Sequence, residues 1–240
     1  MLTVAYDGTN YCGSQVQDNG ETIQGVIDRE LSKWLGEDIR TIGASRTDAG
    51  VHAKGNVFVF DTETMIPGEK YAFGLNTKLP DDIKVQGSKE VPADFHPRFA
   101  KTVKTYEYKI LNRTFPDPLI RNAYFTHAHL DVDAMKKAAK DLEGEHDFVS
   151  FAAVGNSSKT TVRTIYSVEI LKDEDLITLR ITGNGFLYNM VRIIAGTLLE
   201  IGKGNLKPDC IPEIIDAKDR NAAGPTAPAK GLTLVRIEYK

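Results

Sequence analysis

Cysteine is nearly absent: Cys12 and Cys210 are the two in 240 residues. Thiols this few and this far apart announce neither a disulfide framework nor a cysteine-based zinc site. Nor does the length call for a covalent staple, because a chain of this size buries roughly 70–75% of the surface that its unfolded form exposes. No run approaches the roughly 18 apolar residues of a membrane-spanning helix. Met1-Leu2-Thr3-Val4 carries neither a basic region nor a long apolar core, so no signal peptide is expected and a cytoplasmic location is. Basic charge is not in excess either. Lys and Arg total 30 against 33 Asp and Glu, a net charge of −3. A protein gripping nucleic acid by general charge would be basic, so any such grip must come from local groups. Arg98, Lys101, Lys104 and Lys109, then Lys159, Arg163 and Arg180, are the candidates. His52, His96 and His146 form no ligand pattern, and no metal or cofactor is expected.

What is present is the ordinary composition of a globular protein, 41% hydrophobic and 26% charged. Leu2–Tyr6 reads as a strand followed by a polar turn. Thr22 reads as an N-cap, Ile23, Val26, Ile27, Leu31 and Trp34 as one helix face, and Gly36 as the residue that ends it. Ile39–Ile42 predicts a short buried strand, Val57–Phe60 another, Glu69–Leu75 a weak helix and Ile83–Val85 a strand. The theme repeats from Phe99. Strands are predicted at Thr102–Leu111, Arg163–Leu171, Leu176–Thr182 and Leu232–Tyr239. Helices are predicted after Asp131 up to Gly144, at Phe186–Ile201 and at Pro208–Ala217. The expectation is an α+β protein of two subdomains, residues 1–98 and 99–240, each a mostly antiparallel sheet with helices on one face.

The densest chemical signal is Gly43-Ala44-Ser45-Arg46-Thr47-Asp48-Ala49-Gly50-Val51-His52-Ala53. An apolar approach, two glycines and clustered Ser, Arg, Thr and Asp describe a tight loop that exposes a carboxylate beside a guanidinium. Polar, glycine-bounded loops after buried strands are where sites tend to lie. Elsewhere Tyr106 and Tyr108 alternate with charged residues on one strand, so they share a face with Lys104 and Ile110.

Arg46–Ala53 resembles the signature loop of the TruA family of tRNA pseudouridine synthases. Four further segments match in order: Tyr6-Asp7-Gly8-Thr9 with Gly13 and Gln15; Phe95–Phe99 followed by Tyr106-Glu107-Tyr108; Phe186–Arg192; and Ala227-Pro228 with Gly231-Leu232. The resemblance implies a pseudouridine synthase fold with its active site in the cleft between the subdomains, and Asp48 as catalytic nucleophile. It implies that Arg46 fills the space of a flipped-out base, that Arg192 pairs with the catalytic carboxylate, and that Leu232 packs against the target base. Tyr106 would stack on the uracil and handle a proton. Thr47, Arg98 and Lys104 complete the expected substrate-binding set. The substrate implied is the anticodon stem-loop of tRNA at uridines 38–40, and the assembly implied is a homodimer with no membrane attachment. Pseudouridylation breaks the C1′–N1 bond, turns the uracil and joins C5 to C1′. It is redox-neutral, which suits a chain with no cofactor motif. A carboxylate kept ionised in a dry pocket requires a cation beside it, which is the service Arg192 would give.

Three positions depart from the family pattern. Ser14 stands where Trp is usual, Asn56 where Gln is common and Ala229 where a second Pro is usual. The loss of the Trp removes an apolar packing element beside the first loop. Two rival readings differ in what they need. An RNA-binding protein without catalysis has no use for Asp48 beside Arg46, and a hydrolase with an Asp nucleophile needs a metal or a second acid.

Overall fold

The computed structural model describes residues 1–18, 20–155 and 158–240. In chain order its elements are β1 (Leu2–Tyr6), α1 (Ile23–Leu35), β2 (Ile42–Gly43), β3 (His52–Val59), α2 (Tyr71–Asn76), β4 (Ile83–Ser88), β5 (Thr102–Asn112) and β6 (Tyr124–Thr126). They continue with α3 (Val132–Lys140), β7 (Gly144–Asp147), β8 (Val162–Asp173), β9 (Leu176–Gly183), α4 (Met190–Gly202), α5 (Ile211–Ala217) and β10 (Leu232–Tyr239). The α+β class is the expected one. The chain divides into two compact units: Met1–Thr102 with Thr233–Lys240, and Val103–Leu232.

In the first unit, α1 begins where Thr22 leaves the helix conformation and its side chain accepts the N–H of Gly25 at 3.2 Å. It ends at Gly36, left-handed at φ 73°, whose N–H returns to the Ser32 carbonyl. Ile23, Val26, Ile27 and Leu31 are at most 1% exposed. Each such side chain contributes about 1.5–3 kcal/mol on burial, against about 1 kcal/mol for a cap. Burial therefore docks the helix, and the cap decides only where it starts. Trp34 meets Tyr71 of α2 edge-on at 5.8 Å, and Gly74 of α2 makes room for it, since a Cβ there would lie 2.2 Å from the indole.

The sheet of this unit runs β4-β1-β3-β10. β1 is antiparallel to β3 (Leu2 opposite Phe58) and to β4 (Tyr6 opposite Ile83), whereas β10 joins β3 in parallel (Thr233 opposite His52). β3 starts five residues before the predicted Val57, inside the polar loop. The strand predicted at Ile39–Ile42 is replaced by the two-residue β2. The physical reason is local. The Ile39 N–H goes to Ser32 Oγ at 2.9 Å and the Thr41 N–H to Asp28 Oδ1 at 3.0 Å, so side chains of α1 take the groups that a ladder would use.

The second unit's sheet runs β5-β9-β8-β7, with β6 added in parallel on β5. β8 and β9 form a hairpin that closes at Asp173 opposite Leu176, with Glu174 left-handed at φ 49°. β6 and β7 were not foreshadowed, being short and without apolar alternation. Arg180 on β9 lies between Glu107 on β5 (2.8 and 3.1 Å) and Glu169 on β8 (3.7 Å). This candidate RNA-facing cation is paired with two carboxylates and stays partly exposed. α3 is capped by Asp131, which accepts from the Ala134 N–H at 2.9 Å, but it ends at Lys140 rather than Gly144. α5 starts at Ile211, with Pro212 rather than Pro208 in its first turn.

α4 is buried on nearly every side, as a helix apolar all round must be. It begins four residues later than the predicted Phe186, because Asn189 is left-handed at φ 60° and cannot continue a helix upstream. Gly196 lets the chain after α5 lie against it, since a Cβ there would sit 1.7 Å from the Pro225 carbonyl oxygen. The Gly224 N–H completes the contact by bonding Thr197 Oγ1 at 2.9 Å.

Asp28 offers a test of this account. It is 5% exposed, and its Oδ1 accepts from Thr41 N–H and from Thr41 Oγ1 at 2.6 Å. Burial raises its carboxyl above the ordinary carboxylate range, and the two bonds from Thr41 oppose that. A raised native pKa means that the stabilising contribution is fully present below the unfolded pKa and is lost as pH rises through the native one. Asp28→Asn keeps an acceptor and removes the charge. Its melting temperature is expected to gain on that of the wild type as pH climbs through this range, in parallel thermal melts. A difference that does not change with pH would overturn the assignment.

Candidate active site

The loop of residues 43–51 is fixed by the first unit's own backbone and small polar groups. Its entry is held by the Ala44 N–H on the Val57 carbonyl at 2.8 Å. Thr47 is gripped on both sides: its N–H donates to Ser14 Oγ at 2.8 Å, and its carbonyl accepts the Ser14 N–H at 3.0 Å. Its hydroxyl lies 2.8 Å from Tyr6 Oη. Asn56 is fully buried and ties these together, donating to Tyr6 Oη at 3.1 Å and to the Ser45 carbonyl at 2.9 Å while accepting the Val57 N–H at 2.9 Å. The turn closes with the Val51 N–H on the Asp48 carbonyl at 3.1 Å and Gly50 at φ 77°. Asp48 is therefore a half-buried carboxylate on a backbone that cannot swing, while Arg46 is exposed beside it in sequence.

Two glycines of the opening segment explain their own presence. Gly13, at φ 94°, runs so close to the loop that a Cβ would lie 2.8 Å from the Thr47 carbonyl oxygen, and a Cβ on Gly8 would lie 2.0 Å from that of Val51. His52, 3% exposed, has its Nδ1 3.1 Å from the Gly8 N–H and 3.0 Å from Asp7 Oδ1. Unprotonated, that nitrogen accepts from Gly8; protonated, it donates to Asp7. His52 is thus a packing element of β3.

Arg98 donates from Nε to the Gly43 carbonyl at 2.8 Å, which brings the segment His96–Phe99 to the loop's entrance. Its guanidinium is held below its ordinary pKa, first by burial and then by the positive charge of Arg46. The first unit therefore gathers Arg46, Thr47, Asp48 and Arg98 at one loop.

The second unit gathers others. Tyr106 on β5 is 6% exposed, and its ring meets Phe186 edge-on at 5.2 Å. Lys104, two residues along the same strand, is half-buried opposite Gly183. Tyr108 donates to the Pro228 carbonyl at 2.9 Å, and burial raises its phenol well above the ordinary value, with the field of Arg192 opposing. Arg192 donates from Nε to the Ala227 carbonyl at 2.8 Å and from Nη1 to Asn189 Oδ1 at 2.9 Å. The Ala227 N–H returns to the Arg192 carbonyl at 3.1 Å. The third and last motifs are thus bound to each other. Leu232, 6% exposed, stands at the start of β10. Among the described residues, no three of His, Cys, Asp and Glu are grouped to hold a metal ion, and no helix is long and apolar enough to cross a membrane.

By sequence, Ser14 is the loss of a packing group. Ser14 is 2% exposed and clamps the Thr47 peptide. Asn56 was likewise noted only as a departure, and nothing in a single sequence marks either as a support of the loop. Their polarity at positions that fold into the interior is the one clue, and it becomes visible only once burial is known.

The sequence profile of the family described as tRNA pseudouridine synthase matches residues 2–100 and 138–240. The chain belongs to this family of isomerases, and pseudouridylation of tRNA is the activity that membership carries. Within it, the chain is similar to enzymes named tRNA pseudouridine synthase A. It is 50% identical to that of Ruminiclostridium cellulolyticum, over 99% of this chain and 98% of the relative. It is 48% identical to that of Clostridium acetobutylicum over the same shares, and 50% identical to that of Brevibacillus brevis over 98% and 97%.

Gly13→Ala tests the support of the loop. Strain at positive φ and the contact with Thr47 are expected to lower stability by about 1–3 kcal/mol and to shift the Asp48 backbone. A displacement near 1 Å costs about a hundredfold in turnover. Turnover at the wild-type level, measured below the melting transition, would show that the close approach does not aim the loop.

Proposed function

We propose that this chain converts uridines 38–40 in the anticodon stem-loop of tRNA to pseudouridine, with Asp48 as the nucleophile. The observation that carries the reading is the immobilised Thr47–Asp48 backbone, held by Ser14, Asn56 and Gly13, which suits a carboxylate that must meet one carbon. The flipped uridine enters with its base on Tyr106, whose ring orientation is set by Phe186. The C1′–N1 bond breaks, the uracil turns, and C5 bonds to C1′. The hydrogen of C5 leaves as a proton and N1 gains one, so the change is an isomerisation. Asp48 supplies the nucleophilic oxygen, its bond to the substrate breaks again before the product leaves, and the Tyr106 hydroxyl handles a proton. Arg192 pairs with the carboxylate, Arg46 fills the vacated stack, Thr47 holds its neighbour and Leu232 packs against the base. The reading draws Arg46, Thr47 and Asp48 from the part of the chain before residue 98, and Tyr106, Arg192 and Leu232 from the part after it.

Arg98 and Lys104 meet phosphates. In support, Arg98 and Arg46 are close enough for one to depress the other, a local concentration of positive charge in a chain of net charge −3. Phosphate relieves that repulsion. Two copies of the chain act together in the cytoplasm, which pools the cations that one copy has in short supply.

Tritium release from tRNA labelled at C5 of uridine reads the chemistry directly. Stoichiometric release is expected from the wild type and none from Asp48→Asn, with tRNA affinity kept; an active variant would sink the nucleophile assignment. Moving the label among positions 38, 39 and 40 tests the site, and label lost from uridines outside the anticodon arm would refute it. Tyr106→Phe keeps the ring and removes the hydroxyl. A fall in kcat of about a hundredfold with little change in KM is expected, and unaltered turnover would confine Tyr106 to stacking.

A further inference from the structure

Asn189 opens α4 in a way that a helix cap does not. A cap asparagine ordinarily turns its side-chain oxygen to an N–H of the first turn, worth about 1 kcal/mol to the helix. Asn189 makes no such bond. Its Oδ1 lies instead 2.9 Å from Arg192 Nη1. The residue also holds φ 60° and ψ 5°, in the left-handed region that asparagine and glycine enter most readily.

Its backbone is secured without the side chain. The Ile193 N–H bonds the Asn189 carbonyl at 2.9 Å, the Met190 N–H bonds that of Leu187 at 3.1 Å, and the Ala153 N–H bonds that of Tyr188 at 3.0 Å. The amide is therefore not needed to make the turn, and its oxygen is turned to the guanidinium. Arg192 already donates from Nε to the Ala227 carbonyl. A planar guanidinium held at one N–H can still rotate about that bond. A second acceptor on a different nitrogen fixes the plane. With the Asn189 amide and the Ala227 carbonyl on different nitrogens, the guanidinium is oriented by its own unit.

We propose that Asn189 is a positioning residue for the reaction, holding the Arg192 guanidinium in the plane from which it serves the catalytic carboxylate. This rests on the reading above that Arg192 acts with Asp48. The test compares Asn189→Gly, which keeps the left-handed backbone and removes the acceptor, with Asn189→Asp, which keeps both. C5 tritium release should show kcat lowered roughly ten- to a hundredfold in Asn189→Gly, with KM for tRNA and the melting temperature near wild type. Asn189→Asp should recover most of the turnover. Wild-type kcat in Asn189→Gly overturns the proposal, as does equal loss in both variants or a loss that only follows a fall in melting temperature. Asp48→Asn and Arg192→Ala are run beside them. Activity in either refutes the catalytic reading itself, whereas two inactive controls with a normal Asn189→Gly remove only the positioning role.

Discussion

The peptide of Thr47 is the point on which the first unit's polar loop depends. Its N–H and its carbonyl are both engaged by Ser14, and its carbonyl lies against Gly13, so the residue that precedes Asp48 has no rotation left. A carboxylate on an ordinary surface loop samples many orientations. Here order is built during folding, by small polar side chains whose hydrogen bonds are satisfied within the fold. Tyr6, Ser45 and Asn56 extend the same network into β1 and β3, which ties the loop to the most deeply buried strands of the unit.

The second unit applies the same device to a cation. Arg192 is set by a carbonyl of the Ala227-Pro228 segment and by an amide from its own helix entrance. That segment is in turn pressed onto α4 through Gly196 and Gly224, where no side chain would fit. Motifs that lie 35 residues apart by the Arg192 to Ala227 bond are therefore one structural object. Their joint presence in the sequence reflects packing as much as chemistry.

Charge is distributed with equal economy. Arg180 faces Glu107 and Glu169 across three strands, so its charge is paired on the face of the sheet. Arg46 and Arg98 stand near each other at the loop instead, although like charges raise the energy of the empty site. A chain with net charge −3 can thus present local positive potential at one loop.

Local signals carried much of this architecture. Thr22 and Gly36 bound α1, alternation marks β1 and β10 to the residue, and the crowded loop around Asp48 stands out through its composition alone. Other boundaries were beyond local pattern. β2 shrank because Ser32 and Asp28 capture the amides of Ile39 and Thr41, and α4 was delayed because Asn189 is left-handed; both depend on partners or backbone angles that apolar spacing does not encode. The supports of the loop, Ser14 and Asn56, are small polar residues whose meaning lies in their burial. The sequence by itself determined most of the elements and the family motifs, since these rest on neighbours along the chain. Only the tertiary structure decided that Thr233–Lys240 returns to the first unit and lies parallel to β3. A parallel pairing over 180 residues leaves no trace in local periodicity, because its hydrogen bonds form between strands that meet only once the chain has folded.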